Sequence, residues 1–310
     1  MPKKAESFSG KSECPPRKAQ AKLAFELKEE GYRLKDIFHL IGIPEATYHY
    51  HVKNFGNTDT NKELKELIID LFKKFHERYG YKRITKELKK LGHRVNHKKV
   101  YRLMREIGLK CVKFMRKSRK YNSYKGKVGK VAKNRLSRRF STPIPLQKLV
   151  TDITEFKCVG EEKLYLNPIL DLYNGEIVAF EIRKRPTLDL VMKPLTEIIE
   201  ILKKHATYRA TIHSDQGWHY QHNQWVRALK KNKIFQSMSR KATCADNASM
   251  ENFFGILKQE MYYGEKLVSY EELKSRIEDY IHWYNNERSK EKLDGLSPIE
   301  YRTQSSQSAA

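Results

Sequence analysis

The first β-like run of the chain reads Leu149-Val150-Thr151-Asp152-Ile153-Thr154, with a carboxylate near its middle. From Leu149 onward apolar and polar residues alternate, which is the pattern of a half-buried strand. Upstream of this point the apolar residues recur at helical spacing instead. The sequence therefore predicts helical modules first and a sheet-containing α/β domain after them.

Two more stretches alternate in the same way, and tight-turn signals at Gly160 and Asn174-Gly175 separate the three. The expected strands of this front part are 149–157, 163–171 and 176–183. The chain then switches between helical and strand patterns. The expected helices are 187–205, 219–231, 248–261 and 269–289, and the expected short strands are 209–213 and 234–239. This order predicts a mixed sheet with helices on its faces.

Two further carboxylates stand in distinctive surroundings. Asp215 follows a strand in His213-Ser214-Asp215-Gln216-Gly217, and Glu251 begins a helix after Asp246-Asn247-Ala248. A single acidic residue at such a place is usually a cap or a surface charge. Three of them on rigid elements suit a hard cation, because Mg²⁺ prefers oxygen ligands. Two such ions roughly 4 Å apart promote phosphodiester chemistry, so the constellation predicts a metal site that acts on phosphate.

The chain is strongly basic. Its 310 residues contain 62 Lys+Arg and 37 Asp+Glu, which gives a formal net charge of +25. This charge favours a polyanionic partner, and nucleic acid fits best because aromatic residues accompany the basic ones. No apolar run approaches the length of a transmembrane helix, and the scattered cysteines form no zinc-binding pair. We therefore expect a cytoplasmic nucleic-acid-binding protein without a membrane partner.

Two helical modules precede the sheet. After a flexible tail over 1–17, residues 18–56 have a helix-turn-helix pattern with a turn at Gly42-Ile43-Pro44. That pattern is typical of a DNA-reading motif and also of a plain helical hairpin. Residues 57–109 form a second module, in which Asn96 is expected to cap the last helix. The residues of that helix expected to contact DNA phosphates are Lys98, Lys99, Arg102 and Arg105.

The segment 110–148 contains no Asp or Glu and many Lys and Arg residues. Like charges this dense repel, so the sequence predicts a basic linker that is extended or partly disordered when free. Such a linker releases counterions when it binds DNA, although an inert linker remains an alternative. The residues expected to contact phosphate here are Arg116, Lys117, Arg119 and Lys120.

Several stretches of the chain are distinctive when taken together. They are Tyr79-Gly80-Tyr81-Lys82-Arg83-Ile84, Val95-Asn96-His97-Lys98-Lys99-Val100-Tyr101-Arg102-Leu103-Met104, Thr151-Asp152-Ile153-Thr154, His213-Ser214-Asp215-Gln216-Gly217, Ser239-Arg240-Lys241, Asp246-Asn247-Ala248, Glu251-Asn252-Phe253-Phe254-Gly255, Tyr284-Asn285-Asn286-Glu287-Arg288 and Leu296-Ser297-Pro298. With these motifs the chain resembles the OrfB-type transposases of the IS-three insertion-sequence family, which have a retroviral-integrase-like catalytic core. The resemblance covers about residues 18 to 302.

The resemblance implies an α/β, RNase H-like core over 149–264, a C-terminal helix and extension over 265–304, and a tail over 305–310. It implies a catalytic triad of Asp152, Asp215 and Glu251, with 35 residues between the last two, that binds Mg²⁺ or Mn²⁺ as two ions. Water would cleave the ends of a mobile element, and a 3′-hydroxyl would join strands on a copy-out-paste-in route.

The implied partners are double-stranded DNA at the nucleoid, further copies of this chain bound to that DNA, and an upstream helix-turn-helix protein fused by ribosomal frameshifting. Two other functions remain open on the residues alone. One is a DNA nuclease that cuts without joining, and the other is a DNA-binding regulator with an inactive core.

Several residues near the triad are further candidates for the site. Lys258 lies seven positions after Glu251 and is expected to hold a phosphate, although a plain surface lysine has the same pattern. Arg240 and Lys241 are expected to contact DNA. His213 is an auxiliary candidate or a buried, hydrogen-bonded histidine, and Asn247 is a second auxiliary candidate.

Overall fold

The structure is a computed structural model that describes residues 16–55, 60–111, 131–240 and 243–307. The described residues divide into two compact units, with the boundary between Asp70 and Leu71. Within the described ranges, no helix combines the length and the apolar composition that a bilayer crossing requires. The expected phosphate contacts that lie outside the described residues are Arg116, Lys117, Arg119, Lys120 and Lys241.

The first unit contains three short helices around a small apolar core: α1 (Arg17–Glu29), α2 (Leu34–Ile41) and α3 (Glu45–Lys53). Their shared core includes Leu27, Ile37 and Tyr48. The expected turn after α2 is present, because Gly42 adopts the left-handed conformation with φ of 68° and ends the helix. Pro44 then precedes α3, as the sequence predicts.

Three more helices follow: α4 (Lys62–Lys74), α5 (Tyr81–Lys90) and α6 (His97–Glu106). The predicted cap of α6 is present, since the Asn96 side chain accepts the backbone N–H of Lys98 at 2.8 Å. On α6, Val100, Leu103 and Met104 are buried. Among its basic residues Lys98, Arg102 and Arg105 are exposed and Lys99 is half-buried.

The second unit is built on a six-stranded mixed sheet of β1 (Lys148–Thr151), β2 (Thr154–Lys157), β3 (Lys163–Asp171), β4 (Ile177–Arg183), β5 (Thr211–Ser214) and β6 (Phe235–Met238). Strand β3 pairs antiparallel with β1, β2 and β4. Strand β5 pairs parallel with both β1 and β6. An antiparallel front and a parallel back are what the sequence predicts, so the mixed-sheet α/β class is confirmed.

Helices cover both faces of the sheet. The helices that follow β4 in the chain are α7 (Asp189–His205), α8 (Trp218–Gln221), α9 (Asn223–Lys231), α10 (Ala248–Met261), α11 (Tyr270–Asn286) and α12 (Pro298–Gln307). Residues of α7, α8 and α9 pack on one face, and residues of α10 and α11 pack on the other. Because side chains alternate along a strand, Val150 packs with residues of α10 and α11, whereas Leu149 packs with residues of α7 and α9. One sheet thus separates two apolar layers.

The predicted strand 149–157 is two strands rather than one. Thr151 pairs with Ile169 and Thr154 pairs with Leu166, so β1 and β2 keep one register along β3. That register places Asp152 opposite Pro168. Proline has no N–H to contribute to a strand ladder, and a proline inside a sheet is found where pairing is interrupted. The interruption falls at Asp152-Ile153.

The predicted helix 219–231 is also two elements, α8 and α9. His222 lies between them in an extended conformation, with φ of −62° and ψ of 140°. Its ring nitrogen Nδ1 accepts the backbone N–H of Gln224 at 3.3 Å, so His222 caps α9. A residue that caps a helix has non-helical dihedrals, which is why one helix cannot run through this position.

A buried ion pair ties the C-terminal part of the second unit together. Arg288, from the end of α11, donates two hydrogen bonds of 2.9 Å and 2.6 Å to the Glu260 carboxylate on α10. Tyr280 donates to the same carboxylate at 2.7 Å. Arg83, from α5, lies 3.5 Å from it. Arg288, Tyr280 and Arg83 therefore meet at one buried carboxylate.

We predict that Arg288→Met lowers the free energy of unfolding of the second unit by about 3–5 kcal/mol, because Glu260 then stays buried without its main partner. Urea unfolding monitored by tryptophan fluorescence measures this loss, and adding Glu260→Gln should restore part of it. The matched control is Arg276→Met, which breaks an exposed pair with Glu272. That control should cost less than about 1 kcal/mol, and equal losses in the two arginine variants would contradict the prediction.

The loss should also depend on pH. Burial acts to raise the pKa of Glu260, but the hydrogen bonds and charge of Arg288 outweigh it and hold that pKa below its ordinary value. A carboxyl group with a lowered folded-state pKa stabilises the protein above its ordinary pKa, and this contribution disappears as the pH falls through the folded-state value. The difference between the wild type and Arg288→Met should therefore be full at neutral pH and shrink in acid.

Candidate active site

Asp152 lies in the gap between β1 and β2. Its Oδ1 accepts the backbone N–H of the next residue, Ile153, at 2.8 Å, which holds the side chain close to its own backbone. Continuing the alternation of β1, Asp152 points to the same side of the sheet as Val150, the side that α10 covers. The strand break therefore places a carboxylate at an open strand end beside a helix.

Asp215 lies next to Asp152 because of the parallel pairing between β1 and β5. Val150 pairs with His213, so the same register carried two residues further places Asp152 level with Asp215. Neighbouring strands are about 4.8 Å apart, and the two carboxylates therefore leave adjacent strand ends. The Asp215 side chain is also fixed, since its Oδ1 accepts the N–H of Gly217 at 2.9 Å.

Glu251 lies in the first turn of α10, and its side chain is exposed. The helix start is joined to the strand end, because Asn247 donates a hydrogen bond of 3.3 Å to the carbonyl oxygen of Thr151. In the described part of the chain, however, no three His, Cys, Asp or Glu side chains are close enough together to hold a metal ion. Strand pairing thus places the two aspartates level with each other, and Glu251 on the first turn of α10 does not complete a three-ligand group with them.

The charges of Asp215 and Glu251 both act on Asp152. Burial raises the pKa of Asp152 well above its ordinary value, and the charges of Asp215 and Glu251 raise it further. Burial also raises the pKa of Asp215, against the hydrogen bond from Gly217. Negative charges that crowd together in this way are relieved by a cation, and carboxylate oxygens are the donors that Mg²⁺ prefers. The two aspartates therefore fit a hard divalent metal.

Three side chains beside the strand break form a hydrogen-bonded layer that the sequence did not predict. The Tyr220 hydroxyl donates to Asn167 Oδ1 at 2.7 Å, and the Thr151 hydroxyl lies 3.0 Å from the same oxygen. These three side chains are buried. The sequence signal for this layer is Asn167, a polar residue in the middle of a strand whose neighbouring residues are apolar, because buried polar side chains need partners.

His213 fits its structural alternative. It is fully buried, and its ring nitrogens lie 2.8 Å from the Ser237 hydroxyl and 3.1 Å from the Ser239 hydroxyl. Burial lowers its pKa to about 4, so the ring is neutral at physiological pH. A neutral histidine with two hydroxyl partners joins β5 to β6 and to the residue that follows β6.

Lys258 lies beside the second half of the broken strand. Its Nζ donates to the Thr154 hydroxyl at 2.6 Å and to the Glu155 carbonyl oxygen at 3.0 Å. The same ammonium lies 4.8 Å from the centre of the Phe156 ring. The ammonium group of Lys258 therefore contacts groups of the protein itself.

Arg240 is also engaged by a protein group, the carboxylate of Asp246. Its Nε and one terminal nitrogen donate to that carboxylate at 2.9 Å and 3.0 Å. Asp246 is fully buried and was missed as a functional candidate. Its pKa is held far below the ordinary aspartate value, chiefly by the hydrogen bond from Arg240, so it is an anion. The loop before Glu251 is thus anchored by a buried charge.

Family models match most of the chain. Residues 59–118 match an HTH-like domain, residues 142–244 match an integrase core domain, and residues 251–305 match a second integrase core domain model. All three proposed carboxylates fall inside the two integrase core matches.

Two named relatives are similar to this chain over most of their own length. The transposase InsK for insertion sequence element IS150 of Escherichia coli K12 is 40% identical over 273 residues, which are 88% of this chain and 94% of that protein. The transposase InsF for insertion sequence IS3A of the same organism is 31% identical over 238 residues, which are 76% of this chain and 80% of that protein.

Among solved structures, the catalytic core domain of HTLV-2 integrase in complex with magnesium covers 51% of this chain and 97% of its own, at 15% identity and a TM-score of 0.38. A likeness of this size is too weak to support a conclusion by itself.

We predict that Gly217→Ala displaces the Asp215 carboxylate and weakens binding of Mn²⁺. An added Cβ at Gly217 would lie 2.9 Å from Asp215 Oδ1, although the backbone there is one that alanine adopts readily. Titration calorimetry should show an affinity lower by about tenfold or more, since a shift of about 1 Å is costly at such sites. Gly255→Ala is the control, because no atom lies within 4 Å of its added Cβ. Equal affinities in both variants would contradict the prediction.

Proposed function

The chain belongs to the IS-three family of insertion-sequence DNA transposases, which are polynucleotidyl transferases, and we propose from this premise that Asp152, Asp215 and Glu251 carry its catalysis. Its mixed sheet is the RNase H-like core of such enzymes, and its N-terminal helices fit a helix-turn-helix module. The nuclease and regulator alternatives are not favoured, because the relatives named above are transposases and the similarity extends over most of their length.

One observation carries the assignment of the catalytic residues. Asp152 and Asp215 leave adjacent parallel strands at the same level, and each is held by a hydrogen bond to a nearby backbone N–H. Fixed carboxylates at strand ends are positioned well enough for phosphodiester chemistry, which requires placement within about 0.5 Å. In both residues Oδ1 is bound to the backbone, which leaves Oδ2 to face a ligand.

Asp152, Asp215 and Glu251 would hold Mg²⁺ or Mn²⁺, and we propose two ions. When bound, the metal lowers the pKa of the attacking hydroxyl and stabilises the leaving oxygen of the phosphodiester. The chain's own contribution is to fix two carboxylates and to bring in the third. Glu251 has an exposed side chain in the first turn of α10, and we propose that a change of rotamer brings its carboxylate to the metal beside the aspartates.

We further propose that the protein cleaves element ends and joins strands by attack of a 3′-hydroxyl, on a copy-out-paste-in route. The basic face of α6, with exposed Lys98, Arg102 and Arg105 and half-buried Lys99, supports phosphate contact near the catalytic unit. Lys258, next to the broken strand, would meet the backbone of the DNA strand that is cut.

The DNA would be double-stranded element ends and target DNA, bound by more than one copy of the chain at the nucleoid. A second protein encoded upstream and fused by frameshifting remains a prediction. These proposals follow from the family and from the charge of +25, which favours a polyanion.

We predict that Asp152→Asn abolishes cleavage and joining but leaves DNA binding close to that of the wild type. The amide keeps the size of the side chain and removes the charge that a metal needs, so the expected loss is at least about a thousandfold. The assay uses a labelled duplex that carries one end of the element, supplied with Mg²⁺ or Mn²⁺, and separates cut from joined products.

The matched control is Asp189→Asn, an exposed aspartate at the start of α7 that should keep full activity. Cut product without joined product from the wild type would favour the nuclease alternative. Binding by the wild type without any metal-dependent cutting would favour the regulator.

A further inference from the structure

A buried carboxylate just before Glu251 gathers two arginines at the surface. Asp246 is fully buried and accepts hydrogen bonds from Arg240, from Arg138 at 3.0 Å and from Asn134 at 3.0 Å. Arg240 contributes three of these bonds, because its backbone N–H donates as well as its side chain. One anion thus joins the end of the basic linker to the loop that leads into α10.

Both arginine side chains bind Asp246, and both are also more than half exposed to solvent. The Arg240 side chain is 60% exposed and the Arg138 side chain is 52% exposed. A guanidinium has five N–H donors in a fixed fork, and Arg240 uses two of them on Asp246. The remaining donors of both groups therefore face solvent in an orientation that the buried carboxylate sets.

The charge at this place is positive. Two guanidinium groups meet a single carboxylate, and the flanking Arg135 and Arg139 are exposed on the same short segment. A second contact keeps that segment in place, since the Ser237 hydroxyl accepts the backbone N–H groups of Arg135 at 2.9 Å and Leu136 at 3.3 Å. The end of the linker is therefore an ordered, cationic surface.

This surface is close to the catalytic carboxylates. Strand β6 pairs parallel with β5, and Ser214 pairs with Met238, so the same register places Asp215 level with Ser239. Arg240 follows directly. Neighbouring strands are about 4.8 Å apart, whereas phosphates recur about every 3.4 Å of axis along each DNA strand. A guanidinium at this position is within reach of a phosphate one or two nucleotides from the one that is cut.

We propose that Arg138 and Arg240 form a phosphate clamp for the DNA strand beside the scissile phosphate, and that Asp246 is the positioning residue that orients them. The ligand is a phosphodiester of the DNA backbone, recognised by a planar fork that matches its oxygens. This inference rests on the proposed function, since the clamp is defined relative to the proposed catalytic site. The clamp also gives a role to the contact between the end of the linker and the loop that leads into α10.

Duplexes with one neutral methylphosphonate at a time near the cleavage site test the clamp. Binding is measured by fluorescence anisotropy without divalent metal, so cleavage is not needed. For the wild type, one or two positions should weaken binding by about tenfold, since a hydrogen bond between charged groups is lost. Arg240→Gln and Arg138→Gln should bind unmodified DNA about tenfold more weakly and be insensitive to the same substitution. Each should also lower the slope of affinity against salt by about one.

Asp246→Asn separates positioning from plain charge. It makes the protein more positive, so a purely electrostatic surface would bind DNA as tightly or more tightly. A clamp that needs Asp246 for its orientation should instead bind several-fold more weakly and without sensitivity to the methylphosphonate. Thermal unfolding confirms that each variant is folded, and Arg138→Gln changes an exposed side chain while Arg240 and Asn134 still donate to the buried carboxylate.

The control is Arg209→Gln, an exposed arginine before the start of β5, at the opposite end of the strand from Asp215, where it stacks on Phe235. It should bind like the wild type and keep the methylphosphonate effect. The clamp is wrong if Arg138→Gln and Arg240→Gln behave like this control, or if Asp246→Asn binds more tightly. A wild type that shows the methylphosphonate effect but never cuts contradicts the proposed function and leaves the clamp standing.

Discussion

The parallel register between β1 and β5 is the constraint on which the candidate active site depends. It places Asp152 level with Asp215, although 62 residues separate them in sequence. The interruption between β1 and β2 is the second requirement. Pro168 lies on β3 opposite Asp152 and contributes no N–H at that point. An unbroken strand would carry Asp152 as one more ladder residue. At the interruption, the backbone N–H of Ile153 instead donates to the Asp152 carboxylate and fixes its position.

Buried charges hold the surrounding parts in position. Glu260, near the C-terminal end of α10, binds Arg288 and Tyr280, and Asp246, just before the start of α10, binds Arg138 and Arg240. Both carboxylates are costly to bury alone and are therefore coupled to their partners. The helix that carries Glu251 lies between these two anchors. Its position relative to the strand ends is thus set by ion pairs from distant parts of the chain.

The sequence predicted much of this from local pattern. Alternation located the strands, and the capping role of Asn96 and the turn at Gly42 followed from residue type. Two element boundaries were wrong for a common reason. Pro168 and His222 act through partners outside their own element or through a cap, and neither effect is visible in periodicity. Asp246 was read as part of a motif, because nothing in its neighbours shows that Arg138 reaches it from more than one hundred residues away.

By itself, the sequence determined the element order, the three carboxylates, the basic character and the family, because these depend on residue types and short-range spacing. Only the tertiary structure decided which carboxylates meet. Asp152 and Asp215 come together because strand pairing fixes their level to within one residue. Glu251 comes from a different element, the first turn of α10, which Asn247 joins to the end of β1. The same pairing brings Arg240 beside the aspartates, where a buried anion sets its orientation.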